Sequence, residues 1–160
     1  ENIACEMTFN FYFAYNKGKL LLAAAGTSLP WTSWYPVIFP ANMSQTVAIT
    51  GVKDSESLVK CETCHSGSEV DFVIVMERSS NTDRHSLSLA RYSNQPKYIG
   101  GSSTATATTA GIAAIVWGQD LSATRSEIMD ALKSASSIYP GRHSDFGWGL
   151  IDASMAASSL

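Results

Sequence analysis

Two adjacent serines, Ser102 and Ser103, lie in the segment GGSSTATATTAG at residues 100–111, which consists of small, uncharged residues. The segment continues into IAAIVW, which a flexible linker would not do, so a buried helix is predicted at 103–118. A serine in the first turn of a helix lies near N–H groups without helical partners and near the positive end of the helix dipole. Such groups can stabilise an oxyanion, so a reactive serine and a helix N-cap without chemistry are both open from this segment alone.

A second chemical pattern is CETCH at residues 61–65. Cys61, Cys64 and His65 match the C-x-x-C-H pattern of covalent c-type haem, with Met43 or Met76 as the other axial ligand. Against haem, cytochrome c domains are helical, whereas this segment precedes an apolar strand. Zinc has less support because no second ligand pair follows at suitable spacing. A local disulfide or two small buried cysteines remain as the simpler alternatives.

The composition is that of a globular domain and excludes two classes of partner. The 160 residues are 45% hydrophobic and 16% charged, which allows a sizeable core in one domain. The net charge is -3 without a basic cluster, so no nucleic-acid partner is expected. No apolar run approaches the ~20 residues that span a bilayer, so no membrane segment is expected. The chain starts at Glu1 without a methionine or a basic leader, and we expect it to belong to a longer protein.

Helical and strand patterns alternate along the chain. This alternation predicts an α/β fold with a layered, mainly parallel sheet and flanking helices. Three strands are few for such a sheet, which again suggests a missing upstream part. Residues 27–41 are predicted to be a loop, and 77–100 a loop or hairpin. Helices are predicted at 3–16, 103–118 and 121–135, and strands at 19–26, 45–52 and 69–76.

Two later helices have recognisable start signals. Thr124 and Glu127 form a T-x-x-E capping box, and Asp152 is predicted to cap a short closing helix after a Gly-rich turn. The first of these helices is predicted to point four apolar residues inward. They are Ile128, Met129, Leu132 and Ala135.

Taken in order, these segments resemble the subtilisin-like serine proteases, or subtilases. Residues 101–111 are similar to the family motif Gly-Thr-Ser-x-Ala-x-Pro-x-x-Ala-Gly, in which Ser103 takes the nucleophile position and Ser102 the Thr position. LLLAAAG at 20–26 resembles the strand that leads to the oxyanion residue. The segments IFPA, TVAITGV, SGSEVDF, TRSEIMDAL and FGWGLIDASMAA follow in family order. The resemblance covers nearly the whole chain and implies that residues 1–160 are the C-terminal portion of a single catalytic domain, with a subtilisin-like fold incomplete in this chain.

The resemblance implies a secreted serine endopeptidase that cleaves peptide or protein substrates through an acyl-enzyme on Ser103. The Ser103 N–H and Thr27 would face the oxyanion. One wall of the substrate cleft would be formed by Ala23, Ala24, Ala25 and Gly26. The family often binds calcium, although no calcium site is legible in these residues and no other cofactor is expected in the chain.

The triad partners of the serine are expected upstream of Glu1. The family order is Asp, His, Ser, and neither an Asp-Ser-Gly or Asp-Thr-Gly after an apolar strand nor a His-Gly-Thr occurs here. His65, His85 and His143 lie in polar segments and are predicted to be surface or loop histidines. Since a serine without its base is a poor nucleophile, this chain alone is expected to be inactive.

Four positions depart from or refine the family pattern. Thr27 stands where the family has an oxyanion-binding Asn, and Ala107 replaces a Pro, which suits a helix. Ile38 replaces a Gly of the specificity pocket, which predicts a shallow pocket and small P1 side chains. Pro40 resembles the Pro of a cis peptide bond in the family.

Two other functions remain open from the sequence. A catalytically silent subtilase-like domain that binds peptides would explain Thr27 together with the absent Asp and His motifs. A haem-carrying electron-transfer module would use Cys61, Cys64 and His65.

Overall fold

The order of helices and strands follows the sequence pattern, with shorter strands at the start. The computed structural model describes residues 3–28, 36–78, 86–92 and 95–160, and His85 lies outside them. The predicted loops at 27–41 and 77–100 are therefore described in part. The elements are α1 (Ile3–Asn16), β1 (Leu22–Ala24), β2 (Val47–Asp54), β3 (Val70–Arg78), β4 (Ser86–Tyr92), β5 (Gln95–Ile99), α2 (Ser102–Trp117), α3 (Arg125–Ser134) and α4 (Ala153–Ala157).

A three-stranded parallel sheet in the order β1-β2-β3 confirms the predicted fold class. Ala23 pairs with Ala48, and β3 pairs along the whole length of β2. β1 is shorter than predicted because the Lys19 N–H still bonds the Ala14 carbonyl in the turn that ends α1. At its other end, Gly26 has a φ of 125°, which a regular strand does not allow. Residues 77–100 contain the antiparallel β4-β5 hairpin, one of the two predicted alternatives.

The two faces of the sheet belong to two hydrophobic clusters, as the two-residue period of strands requires. Ile49, Phe72 and Ile74 point to the face that α2, α3 and α4 cover. Ala23, Val52 and Val73 point to the opposite face. The sheet is thus covered on both faces, which explains the near-continuous apolar runs of its strands.

Helix α2 is buried along one stripe only, so the prediction of a buried helix is too broad. Ala105, Thr109, Ala113 and Val116 recur at spacings of three to four and are buried, whereas Ile115 is 58% exposed. Small side chains on this stripe allow close approach to the sheet. This approach brings the start of α2 to the end of β1.

The predicted caps of α3 and α4 are present. The Thr124 side chain accepts from the Glu127 N–H while the Glu127 carboxylate accepts from the Thr124 N–H. Asp152 caps α4 by accepting from the Met155 N–H. On the inner face of α3 the buried residues are Ile128, Ala131, Leu132 and Ala135, whereas Met129 is half-buried.

The Phe39–Pro40 peptide bond is cis, which confirms the prediction from the family resemblance. A second cis bond, Tyr139–Pro140, was not predicted. Among the described residues, no helix is long and apolar enough to cross a bilayer.

Candidate active site

The two adjacent serines have different environments at the start of α2. Gly101 precedes them with a φ of 82°, a conformation that favours glycine, and its carbonyl accepts the Ala105 N–H. Successive residues of a helix are rotated by about 100°, so neighbouring side chains point in different directions. Ser102 is 1% exposed, whereas Ser103 is exposed. The serine predicted as the nucleophile is therefore the accessible one.

Three hydrogen bonds join Ser102 to the segment that follows β1. The Gly26 N–H donates to Ser102 Oγ at 3.1 Å, and the Ser102 N–H donates to Thr27 Oγ1 at 3.1 Å. The two hydroxyl oxygens are 2.9 Å apart, so one donates to the other. These bonds link segments 75 and 76 residues apart in sequence. Thr27, the predicted oxyanion residue, is thus held beside the helix turn that carries Ser103.

Burial favours one of the two possible arrangements of the hydroxyl protons. Only one proton lies between the two oxygens, so the second hydroxyl proton points away from the pair. Thr27 is exposed and Ser102 is buried. A donor directed into the interior without a partner is costly, so the arrangement with Ser102 donating to Thr27 is favoured. In it the Thr27 hydroxyl proton is free to face solvent or a bound group.

The predicted wall of the substrate cleft, residues 23–26, has few side-chain atoms available for contact with a substrate. The Ala23 and Ala25 side chains are buried in the cluster on one face of the sheet, and Gly26 is also buried. Ala24 is half-buried. Any contact of Ala23 or Ala25 with a substrate would therefore come from backbone atoms.

The CETCH segment lies against the same strand end. Cys61 and Cys64 form a disulfide, the simpler of the predicted alternatives, which leaves neither thiol for attachment of haem. His65 lies in a loop, one of the two predicted positions, but it is buried at 5% exposure rather than at the surface. Its ring lies within hydrogen-bonding distance of Ser28 Oγ and the Pro36 carbonyl. His143 is exposed, as predicted.

A partly buried carboxyl group with a raised pKa, Asp71, lies at the opposite end of the sheet. Burial raises the pKa of Asp71 above its ordinary value of 3.8, against the opposing effects of the Ala48 N–H and the Arg142 guanidinium. The carboxylate accepts from Ala48 N at 2.9 Å and lies 3.4 Å from Arg142 Nη2. Asp71 is the second residue of β3, and its bonds join the starts of the strands rather than the serine site.

Within residues 3–28, 36–78, 86–92 and 95–160, no group of three or more His, Cys, Asp or Glu side chains is placed to hold a metal ion. No step of the chemistry below is assigned to a metal ion.

The sheet, its flanking helices and the serine at the start of α2 define a subtilisin-like α/β fold. The chain matches the model of the subtilase family (Peptidase_S8) over residues 2–149. It belongs to the subtilase family, a family of serine peptidases. The comparison with curated proteins gave no match.

Solved structures with the same fold are distant in sequence. MycP1 from Mycobacterium smegmatis has a TM-score of 0.70 and 19% identity, and the match covers 92% of this chain and 44% of that one. Fervidolysin from Fervidobacterium pennivorans, a keratinolytic enzyme related to subtilisin, has a TM-score of 0.70 and 16% identity, and the match covers 92% of this chain and 24% of that one. The prenylagaramide maturation protease PagA has a TM-score of 0.71 and 17% identity, and the match covers 96% of this chain and 55% of that one. The chain thus spans about half of the length of MycP1.

Sequence reasoning missed two contributors to this site. Ser102 was considered only as the neighbour of Ser103, although its place in the motif, where the family has another hydroxyl residue, is a signal for a role. The buried position of His65 had no signal in the sequence, since it depends on the packing of residues 61–65 against residues 26–28.

Proposed function

We propose that the protein containing this chain is a serine endopeptidase with Ser103 as its nucleophile. The observation that carries the proposal is the Gly26–Thr27–Ser102 hydrogen-bond network beside the exposed Ser103. The network joins the exposed Thr27 to Ser102, which precedes Ser103 in the first turn of α2, and this supports a role for the Thr27 hydroxyl and the N–H groups of that turn as donors beside Ser103. That is the arrangement needed to stabilise a developing oxyanion.

In the proposed reaction, Ser103 Oγ attacks the carbonyl carbon of the scissile peptide bond, and its proton passes to a histidine. The carbonyl oxygen becomes an oxyanion that accepts from the Ser103 N–H and the Thr27 hydroxyl. The C–N bond then breaks, and the leaving amine takes the proton from the histidine. Water then attacks the carbonyl carbon of the resulting ester and gives a proton to the histidine. The ester C–O bond breaks, and the histidine returns the proton to Ser103 Oγ.

The histidine and its aspartate are proposed to lie in sequence upstream of this chain. Residues 1–160 would then be the C-terminal portion of a single catalytic domain and inactive alone. The coverage of about half of MycP1 supports this division. Secretion is proposed from the family resemblance, as is calcium binding.

Labelling with a fluorophosphonate tests the nucleophile, because the serine oxygen displaces fluoride from phosphorus only when it is activated. The intact protein is compared with Ser103→Ala and Ser102→Ala variants. We expect labelling of the wild type, none in Ser103→Ala, and retained but slower labelling in Ser102→Ala. Labelling that persists in Ser103→Ala and disappears in Ser102→Ala would transfer the role to Ser102.

Substitution of Thr27 tests the oxyanion role. Thr27→Val keeps the shape of the side chain and removes the hydroxyl. We expect turnover to fall by ~10²–10³, which is the loss known for removal of one oxyanion donor in subtilisin. Thr27→Asn supplies the residue of the family pattern and is expected to retain or raise turnover. Equal turnover in Thr27→Val and the wild type would remove Thr27 from the oxyanion site.

A silent peptide-binding domain is the second candidate, and Thr27 in place of Asn favours it. It predicts a folded intact protein that binds peptides but is not labelled in any variant.

The specificity proposal rests on Ile38, which is 38% exposed at the edge of the segment before the cis proline. Its side chain would fill a pocket that glycine leaves open, so small P1 residues are expected to be the best substrates. A panel of substrates that differ only at P1 tests this, and a preference for large aromatic P1 residues would contradict it.

A further inference from the structure

The segment that contains the disulfide is joined by backbone hydrogen bonds to the residues around Thr27. The His65 N–H donates to the Gly26 carbonyl at 2.9 Å, and the Ser28 N–H donates to the Thr63 carbonyl at 2.7 Å. Between these two bonds, Thr27 and Cys64 form an antiparallel bridge. Residues 26–28, here called the oxyanion segment, are therefore bonded to residues 63–65 as well as to Ser102.

The imidazole of His65 adds side-chain bonds on both sides of this contact. Nδ1 is 2.7 Å from the Pro36 carbonyl oxygen, and Nε2 is 2.6 Å from Ser28 Oγ. A carbonyl oxygen only accepts, so Nδ1 must carry a proton. In the neutral ring Nε2 then accepts from the Ser28 hydroxyl. One tautomer therefore satisfies both bonds and fixes the orientation of a buried ring.

The imidazole ring of His65 also packs against the main chain of Gly26. A Cβ placed on Gly26 would lie 2.4 Å from His65 Nδ1, so main chain and imidazole are in direct contact. Gly26 in turn donates its N–H to Ser102 Oγ. His65 thus contacts the residues on both sides of Thr27, namely Gly26 and Ser28.

We propose that His65 is a positioning residue that holds the oxyanion segment, and with it the Thr27 hydroxyl, at the start of α2. It touches neither the substrate nor Ser103, and acts through Gly26 and Ser28. This inference rests on the proposed peptidase function for its kinetic consequence. A displaced donor weakens binding of the oxyanion more than binding of the neutral substrate, so turnover falls while KM stays unchanged.

Two variants of His65 in the intact protein separate its two side-chain bonds. His65→Gln places an amide oxygen near the Nε2 position and can still accept from Ser28. His65→Asn has a shorter amide, which can donate to the Pro36 carbonyl but does not reach Ser28. His143→Asn is the matched control, because His143 is exposed and its Nδ1 accepts a backbone N–H that an asparagine oxygen can also accept.

The kinetic measurement compares kcat, KM and inhibition by a peptide aldehyde, which binds serine peptidases as an oxyanion-bearing hemiacetal. We expect His65→Asn to lower kcat about 10- to 100-fold with KM unchanged, the scale of a small misplacement of a reacting group. Aldehyde affinity should fall by a similar factor, His65→Gln should lose less, and His143→Asn should match the wild type. An unchanged kcat in a folded His65→Asn variant, or equal losses in both variants through KM alone, would overturn the proposal.

Amide hydrogen exchange keeps the inference separate from the peptidase proposal. If the wild type neither hydrolyses peptides nor binds the aldehyde, the proposed function fails while the structural part can still be tested. Faster exchange at Gly26 and Ser28, whose N–H groups donate to Ser102 Oγ and the Thr63 carbonyl, in His65→Asn but not in His143→Asn would support His65 as the residue that holds this segment. Unchanged exchange in all variants would overturn it.

Discussion

Replacing Gly26 with alanine should destabilise the protein through two effects that the structure separates. The first is backbone strain, because a φ of 125° is one that residues with a Cβ rarely adopt. The second is a steric clash, because the new Cβ would lie 2.4 Å from His65 Nδ1 and 2.8 Å from Cγ. The ring cannot turn away freely, since both of its nitrogens lie within hydrogen-bonding distance of fixed partners.

The magnitude follows from adding the two effects. A sparsely populated backbone conformation costs about 1–3 kcal/mol. Overpacking a filled site costs about a further 1–3 kcal/mol. We therefore expect Gly26→Ala to lower the free energy of unfolding by about 2–6 kcal/mol, and to lower active-site labelling with it. Urea denaturation of the intact protein measures the first quantity.

Gly18 provides the matched control within the chain. Its φ of 73° carries a strain of the same kind, but a Cβ added there would meet nothing within 4 Å. Gly18→Ala is thus expected to cost only about 1–2 kcal/mol, from strain alone. Equal losses for the two variants would refute the argument, because they would show that contact with His65 adds nothing.

A double-mutant cycle sharpens this test. If the clash is real, combining Gly26→Ala with His65→Ser should cost less than the sum of the two single changes, because the serine leaves room for the new Cβ. Strict additivity would show that Gly26 and His65 do not interact.

Three further changes probe other parts of the fold by denaturation of the intact protein. Burial raises the pKa of Asp71, so the folded state binds more protons than the unfolded state just above pH 3.8, and the free energy of unfolding falls as pH rises through that range. Asp71→Asn should remove this fall. Identical pH profiles of the free energy of unfolding in the wild type and the variant would contradict the argument. Replacing Cys61 and Cys64 by serine should cost about 2 kcal/mol for so short a disulfide loop, whereas Cys5→Ser, at an exposed free thiol, should cost nothing measurable. Thr124→Ala should lower the free energy of unfolding by about 1 kcal/mol through loss of the α3 cap, and a free energy of unfolding unchanged from that of the wild type would show that the cap adds nothing.

The fold was accessible from the sequence because its determinants are local. Apolar runs predicted the three parallel strands, and the T-x-x-E pattern predicted the start of α3. The exception is α2, where the many alanines and threonines gave no direction to the apolar face. Which stripe is buried depends on how the helix lies on the sheet, and that is a tertiary property.

The residues of the candidate site were predicted in a different way. The position of Ser103 followed from the register of a motif, and its exposure agrees with the proposed role. The state of Cys61 and Cys64 could not be derived, because C-x-x-C spacing suits a disulfide, a metal or a haem equally well. Only the packing of the segment against the end of β1 distinguishes these uses.

The hydroxyl pair shows why a departure from a motif cannot be judged one residue at a time. Thr27 is shorter than the asparagine of the family pattern, which on its own argues for a weakened oxyanion site. In the fold, however, its oxygen accepts the Ser102 N–H and lies 2.9 Å from the buried Ser102 hydroxyl. A buried hydroxyl that must donate leaves the exposed one with its proton directed outward. Under the proposed function, the shorter side chain of Thr27 would therefore be offset by a partner 75 residues away, and the pair, rather than either residue, would set the position of the oxyanion donor.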